Sequence, residues 1–131
     1  MSDTGLPAVT VRWNEELQAV EQIWNRHSSR EEYREAAENV LALLEEKKTS
    51  RLFADCVKLM VVHPDDQKWV EVDWLPRMVR AGLEKIAVLV PTGAVAQLSV
   101  SKMEQSIAPQ NVGFERYLTE DSKQAVAWLI K

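Results

Sequence analysis

The chain has 131 residues, of which 46% are hydrophobic and 27% are charged; this is the size and composition of a single globular domain, not of a disordered protein. The net charge is −4 and the basic residues are scattered, which disfavours binding to nucleic acid or to an anionic membrane because both require a basic stripe. The longest uncharged stretch, 86–101, is interrupted by Pro91 and Gly93, so we expect no membrane insertion.

The amino terminus and the single cysteine bear on location. Residues 1–7 are small and polar, so we expect them to be disordered, and they lack the positive and apolar regions of a signal peptide. Cys56 has no partner for an intramolecular disulfide and suits a reducing compartment. The sequence therefore predicts a cytoplasmic protein.

The first predicted elements form a β-hairpin. Val9, Val11 and Trp13 alternate with smaller or polar residues, which is the period of a half-buried strand. Residues 14–16 can turn the chain, and 17–24 supply the second strand.

A helix over residues 30–48 has the clearest pattern. Ser28 or Ser29 lies three residues before Glu31 or Glu32, the spacing of a capping box. Apolar residues then recur at spacings of three and four on one face: Tyr33, Ala36, Ala37, Val40, Leu41 and Leu44.

A short apolar run, 52–57, predicts a buried strand. After a loop, Pro64 suits the first position of a second helix because its fixed φ matches and it needs no N–H donor there. Gly82 can close this helix. Pro76 lies inside it and predicts a kink or split near 72–73.

The run 86–90 has the composition of a central parallel strand. A helix from 94 to about 105 follows, and a second capping box at Ser101 and Glu104 could split it.

Residues 114–118 predict the last strand, and Thr119 is the predicted cap of a final helix. Strands alternating with helices favour right-handed crossovers between parallel strands. We therefore predict one α/β domain over 1–131, with a mixed, mainly parallel sheet, an amino-terminal β-hairpin and four main helices.

Three segments carry a resemblance to a known family: LFADCVKL, HPDDQKWVEVDWLPRMVRAGLEKIAVLVP and YLTEDSKQAVAWL. Together they resemble small bacterial proteins with the SpoIIAA-like (STAS-type) fold, a fold class that also includes the CRAL-TRIO lipid-binding domains. The resemblance covers about residues 30–130 and implies this fold. It implies little about activity, because many members of the family have no assigned function.

One property of that superfamily can be tested on the residues. Its anti-sigma-factor antagonists carry a phosphorylatable Ser at the start of the helix after the third strand, but here no Ser or Thr occurs in 52–80. This argues against a phosphorylation switch. Asp65 and Asp66 could imitate a permanent negative charge there, although acidic residues are common in the first turn of any helix.

Ligands of parallel α/β sheets usually bind beyond the carboxyl ends of the strands. In this chain that edge collects Asp55, Cys56, His63, Asp65, Asp66 and Thr92. Cys56, His63 and Asp55 are the residue types of a thiol nucleophile, its base and an orienting carboxylate. Nearby acids would raise the thiol pKa, so a buried structural Cys56 and a loop-capping Asp55 are favoured.

Metal and nucleotide sites are disfavoured. The two histidines are far apart, and the four glycines are dispersed, so neither a zinc pattern nor a phosphate-binding loop is present in the sequence. We expect no cofactor.

Five tryptophans and one apolar loop suggest a surface for binding. Trp69 and Trp74 fit a core stripe, but either could line an interface or an apolar pocket. The apolar run 59–62 in a loop needs cover from its own domain, a second subunit or a ligand.

The leading hypothesis is a non-catalytic binding or regulatory module, a homodimer, that acts through the strand-end face and the 58–76 region. A carrier of a small apolar ligand is the alternative, and a thiol enzyme or hydrolase comes third. A pocket lined by Trp and Met would favour the carrier. The residues predicted to form the ligand or partner face are Asp55, Leu59, Met60, Val61, Val62, His63, Asp66, Trp69, Trp74 and Thr92.

Overall fold

The computed structural model describes residues 7–107 and 113–131, and the predicted disorder of residues 1–7 lies outside that range except for Pro7. The described residues form one five-stranded sheet whose strand order follows the chain. The strands are β1 (Val9–Asn14), β2 (Ala19–Trp24), β3 (Arg51–Asp55), β4 (Lys85–Leu89) and β5 (Glu115–Thr119). β1 and β2 are antiparallel and the other neighbours are parallel, so the predicted hairpin and the mixed, mainly parallel sheet are confirmed.

Helices follow the strands in the predicted order. They are α1 (Arg30–Lys47), α2 (Pro64–Trp69), a π-helical segment (Val70–Trp74), α3 (Leu75–Arg80), α4 (Ala94–Ile107) and α5 (Ser122–Ile130). The stretch from Pro64 to Arg80 is one helical body, so the prediction of an α/β fold with four main helices is confirmed for the described part of the chain.

The start of α1 is fixed locally. The Ser29 hydroxyl accepts from the Glu32 amide at 3.1 Å, and the Glu32 carboxylate accepts from the Ser29 amide at 2.9 Å. Of the two predicted capping boxes, this pair is the one that forms. Lys48 ends the helix in a left-handed conformation (φ 53°).

Pro76 splits its helix through a change of helical type. In a regular α-helix the residue-76 amide would bond the Val72 carbonyl, but proline has no N–H and its ring crowds that carbonyl. The chain widens to a π-helical turn instead, in which the Leu75 amide donates to the Val70 carbonyl. Pro76 then lies in the first turn of α3, where it is tolerated.

The two faces of the sheet are covered differently. Val20, Leu52 and Ile86 pack against α1, the π-helical segment and α3 in the largest core cluster. On the opposite face, Phe53 and Ala87 pack with residues of α5. The helices that connect β2 to β3 and β3 to β4 therefore share one face, and α5 covers the other.

Two predicted helix boundaries are wrong. α4 is not split at Ser101, because the Glu104 carboxylate bonds Arg116 on β5 instead of a backbone amide. α5 is capped by Asp121, whose carboxylate accepts from the amide of residue 123. Thr119 is instead the last residue of β5.

Candidate functional site

An apolar cavity of about 140 Å³ lies between the sheet and the helices, and we call it the sheet–helix cavity. The strand register forms its floor by placing Gln22, Ala54, Val88 and Leu118 side by side across β2 to β5. Ala54 contributes only a methyl group to the middle of this row. The floor is therefore recessed at its centre, which leaves room above it.

The π-helical segment and its neighbours form the roof. The Trp74 ring nitrogen donates to the Ala37 carbonyl of α1 at 2.7 Å, which fixes the indole over the sheet. Val70 and Trp74, at the two ends of the π-helical segment, both line the cavity. Other apolar side chains complete the walls: Trp24, Tyr33, Leu59, Val62, Val100 and Met103.

Polar groups meet the cavity at two places. Gln22 is only 9% exposed, and its amide, which makes no hydrogen bond to another residue in the described ranges, keeps accessible surface because no fully buried side-chain N or O atom in these ranges lacks a partner. Glu104 and Arg116 are partly exposed, and the Arg116 Nε donates to both Glu104 oxygens at 2.7 Å. Gln22 lies on β2 and Arg116 on β5, three strand spacings or about 14 Å apart. One end of the cavity thus has a neutral amide and the other a neutralised ion pair.

Cys56 is part of the cavity wall and is not arranged as a nucleophile. It packs with Trp24, Ala54, Leu59 and Val62. Burial, and then the charge of the neighbouring acid at position 55, raise the pKa of its thiol to about 12. The thiol is therefore protonated at neutral pH, as the sequence indicated for a structural cysteine.

The side chains of His63 and Asp55 accept hydrogen bonds from backbone amides. The His63 Nδ1 accepts from the Asp65 amide at 3.0 Å and caps α2. The Asp55 carboxylate accepts from the Val57 amide at 3.2 Å, which is the loop-capping role predicted for it. The three residue types of a thiol enzyme are therefore used for packing and capping.

Asp66 is turned away from solvent. Its side chain is 2% exposed and accepts from Arg30 Nε at 3.1 Å and from Arg34 Nε at 2.8 Å. Burial alone would raise the pKa of this carboxyl, but the hydrogen bonds from Arg30 and Arg34 outweigh it and hold the pKa below its ordinary value. Asp66 joins α1 to α2, so it is not the exposed negative charge considered from the sequence.

Trp69 and Trp74 both have partners within the domain. Trp69 lies beneath the Arg34 guanidinium, 4.7 Å from the ring centroid, and packs against the core. Trp74 is buried. Neither of these two side chains is a free aromatic surface for a second subunit.

The loop 59–62 divides its apolar residues between core and solvent. Leu59 and Val62 are buried, and the Val62 amide donates to the Ser99 hydroxyl of α4 at 3.4 Å. Met60 and Val61 point outward and are 53% and 57% exposed. The loop therefore buries two of its apolar residues in its own core, and the other two remain exposed.

The structure brings some of the predicted face together and disperses the rest. Leu59, Val62 and Trp74 line the sheet–helix cavity. The others lie outside its lining: Asp55, Met60, Val61, His63, Asp66, Trp69 and Thr92. Sequence reasoning missed Gln22, although a signal existed, because a polar residue stands between Val20 and Trp24 at an inward position of an apolar strand.

Within residues 7–107 and 113–131, no group of three or more His, Cys, Asp or Glu side chains could hold a metal ion. None of the helices in these ranges combines the length and the apolar character that a membrane span requires. The resemblance to the SpoIIAA-like family remains a prediction from the sequence segments. Comparison of the chain with protein-family models, curated proteins and solved structures finds no match.

Proposed function

We propose that this protein is a non-catalytic binding domain that takes a small, uncharged, mainly apolar molecule into the sheet–helix cavity. The observation that carries the proposal is the cavity itself, about 140 Å³ with almost entirely apolar walls. A buried apolar cavity of roughly 150 Å³ is large enough to bind benzene. Pockets for drug-sized ligands start at about 300 Å³, so this cavity suits one ring or a short alkyl chain.

The electrostatics support an uncharged ligand. The charged side chains of the lining, Glu104 and Arg116, neutralise each other at 2.7 Å. A ligand charge brought into the apolar interior would lose its hydration without gaining a counter-charge. Neutral molecules are therefore favoured over carboxylates, phosphates and amines.

The proposal extends to the fold family and the location. The SpoIIAA-like fold suggested by the three sequence segments includes lipid-binding domains, which agrees with a carrier of apolar ligands. A cavity of 140 Å³ would hold only part of a lipid. A cytoplasmic location fits the single thiol of Cys56.

The test compares ligand binding by the wild type with binding by a variant in which a larger side chain on the floor fills the cavity. Benzene and toluene are titrated into the ¹⁵N-labelled protein, and amide shifts are followed for residues around Ala54 and Trp74. We expect saturable shifts confined to the cavity in the wild type and their loss in Ala54→Leu, whose added carbons enter the cavity. Ala42→Leu, the same change on the exposed side of α1, is the matched control and should bind like the wild type. Absence of saturable binding by the wild type would overturn the proposal.

A second candidate function is supported by Met60 and Val61. Each is more than half exposed on the same short loop, which favours contact with a protein partner or with a second copy of this chain. The predicted regulatory module and homodimer depend on this surface. Light scattering at micromolar concentration tests it, because Val61→Asp should lower the mass of a dimer; a wild-type mass equal to one chain at all concentrations excludes the homodimer.

A further inference from the structure

The position of Gln22 is unusual for its residue type. It lies in the middle of β2, and the inward-facing residues on either side of it, Val20 and Trp24, are both buried and apolar. Its neighbours in the register are Val11 on β1 and Ala54 on β3. Gln22 is itself 9% exposed and lines the sheet–helix cavity.

The amide of Gln22 has hydrogen-bonding capacity that the described residues do not use. A primary amide offers two N–H donors and one carbonyl acceptor. In proteins the large majority of buried side-chain polar atoms have at least one hydrogen-bond partner. Trp24 and Ala54 present no acceptor side chain here, no hydrogen bond joins Gln22 to the Tyr33 hydroxyl, and the charged pair of the cavity lining, Glu104 and Arg116, lies across the sheet.

The aromatic residues beside Gln22 restrict the shape of what it can contact. Trp24 and Tyr33 stack on each other with ring centroids 5.3 Å apart, and both line the cavity. The roof carries the Trp74 indole, fixed by its bond to the Ala37 carbonyl. Flat aromatic walls pack best against a planar ring.

We infer that Gln22 is the specificity-determining residue of the cavity and that the ligand is a small neutral aromatic molecule with one hydroxyl or carbonyl group. The ring occupies the apolar volume, and the polar group exchanges a hydrogen bond with the Gln22 amide. An apolar ligand of the same size leaves that amide unpaired, which is how a buried polar group discriminates between isosteres. This inference rests on the proposed function of the cavity.

The experiment compares phenol with toluene, two probes of nearly equal size in which the hydroxyl of one replaces the methyl group of the other. Both are titrated by calorimetry into the wild type, Gln22→Met and Gln124→Met. Methionine has the length of glutamine without the amide, and Gln124 is an exposed residue of α5 on the opposite face of the sheet. Because each probe's hydration is the same for all three proteins, the ratio of the two dissociation constants isolates the contribution of the amide.

We expect the preference for phenol relative to toluene to fall about fivefold in Gln22→Met, the effect of one net hydrogen bond. Toluene binding should be kept or strengthened, and Gln124→Met should leave the ratio unchanged. If toluene binds both proteins and the ratio does not change, the role of Gln22 is overturned while the cavity function stands. If neither probe binds the wild type, the proposed function fails.

A stability measurement tests whether the Gln22 amide supports the fold instead of binding a ligand. Replacing an amide that has no protein partner by an apolar side chain should keep or raise the melting temperature of the ligand-free protein. A lower melting temperature of Gln22→Met, with Gln124→Met unchanged, would mean that the amide supports the fold, and it would overturn the inference.

Discussion

Replacing Asp66 with asparagine tests how α1 and α2 are held together. The substitution keeps the volume of the side chain and removes its charge. In the native protein this carboxylate accepts two hydrogen bonds from Arg30, both at 3.1 Å, and one from Arg34 at 2.8 Å. In the variant, an amide NH₂ group replaces one carboxylate oxygen and faces the guanidinium donors.

The expected loss of unfolding free energy in Asp66→Asn is intermediate in size. Breaking a fully buried ion pair costs about 3–5 kcal/mol because it leaves a charge without a partner. Here the Arg30 and Arg34 side chains are 51% and 39% exposed and can return to water, so we expect about 2 kcal/mol, the range of one hydrogen bond to a charged group. For a domain of this length that is a fall in melting temperature of roughly 7 °C.

The loss of unfolding free energy in Asp66→Asn should depend on pH in one direction. The pKa of Asp66 is lower in the folded protein than in the unfolded chain, so its stabilisation is complete above the unfolded value of about 3.9. It is lost as the pH falls through the folded pKa, because the protonated carboxyl resembles asparagine. The difference in unfolding free energy between the wild type and Asp66→Asn should be constant from pH 7 to about 5 and should shrink below pH 4.

Urea unfolding followed by tryptophan fluorescence measures this difference without the screening that guanidinium would add. Asp65→Asn is the matched control. Its carboxylate is 74% exposed and lies 3.9 Å from Arg30, so its removal should change the unfolding free energy by no more than about 0.5 kcal/mol. Equal losses for the two variants, or a loss for Asp66→Asn that is the same at pH 3 and pH 7, would refute the assigned role.

Three further predictions follow from packing and backbone geometry. Cys56 should react slowly with a thiol reagent in the folded protein and rapidly in urea, because it is buried with its pKa raised to about 12; fast native labelling would contradict this. Pro76→Ala restores the amide that proline lacks, so the π-helical turn should close to a regular α-helix in which residue 76 donates to the Val72 carbonyl; a crystal structure that keeps the π-helical turn would show that the packing and hydrogen bond of Trp74 impose it instead. Leu129→Ala should cost about 3 kcal/mol in urea unfolding, since this fully buried side chain anchors α5 to the sheet; a loss below about 1 kcal/mol would mean that α5 is not part of the core.

Elements whose signals lie within a few residues could be predicted from the sequence. The capping box of α1 joins Ser29 to Glu32, and both partners of each bond are within three residues of each other. Pro64 starts α2 because its fixed φ and missing N–H act at its own position. Alternation in β1 and the apolar run of β4 likewise indicated strands from local pattern alone.

Other features depended on contacts between residues that are far apart in the sequence. From the sequence, the Glu104 carboxylate was equally able to accept a hydrogen bond from a helix amide or from a basic side chain. The placement of β5 beside α4 makes Arg116 its donor. The loop 59–62 is uniformly apolar in sequence, and the packing of Leu59 and Val62 against Trp24 and Cys56 shows which two of its residues are buried.

By itself, the sequence determined the order and type of the elements, because helix caps, proline geometry and apolar periodicity are short-range properties of the chain. The sheet–helix cavity was decided by tertiary structure alone. It exists because the small side chain of Ala54 meets a π-helical roof that contains Trp74, and the two are brought together from positions 20 residues apart. The exposure of the Gln22 amide to that cavity depends on the same long-range register, since a volume between elements is a property of their packing and of no single segment.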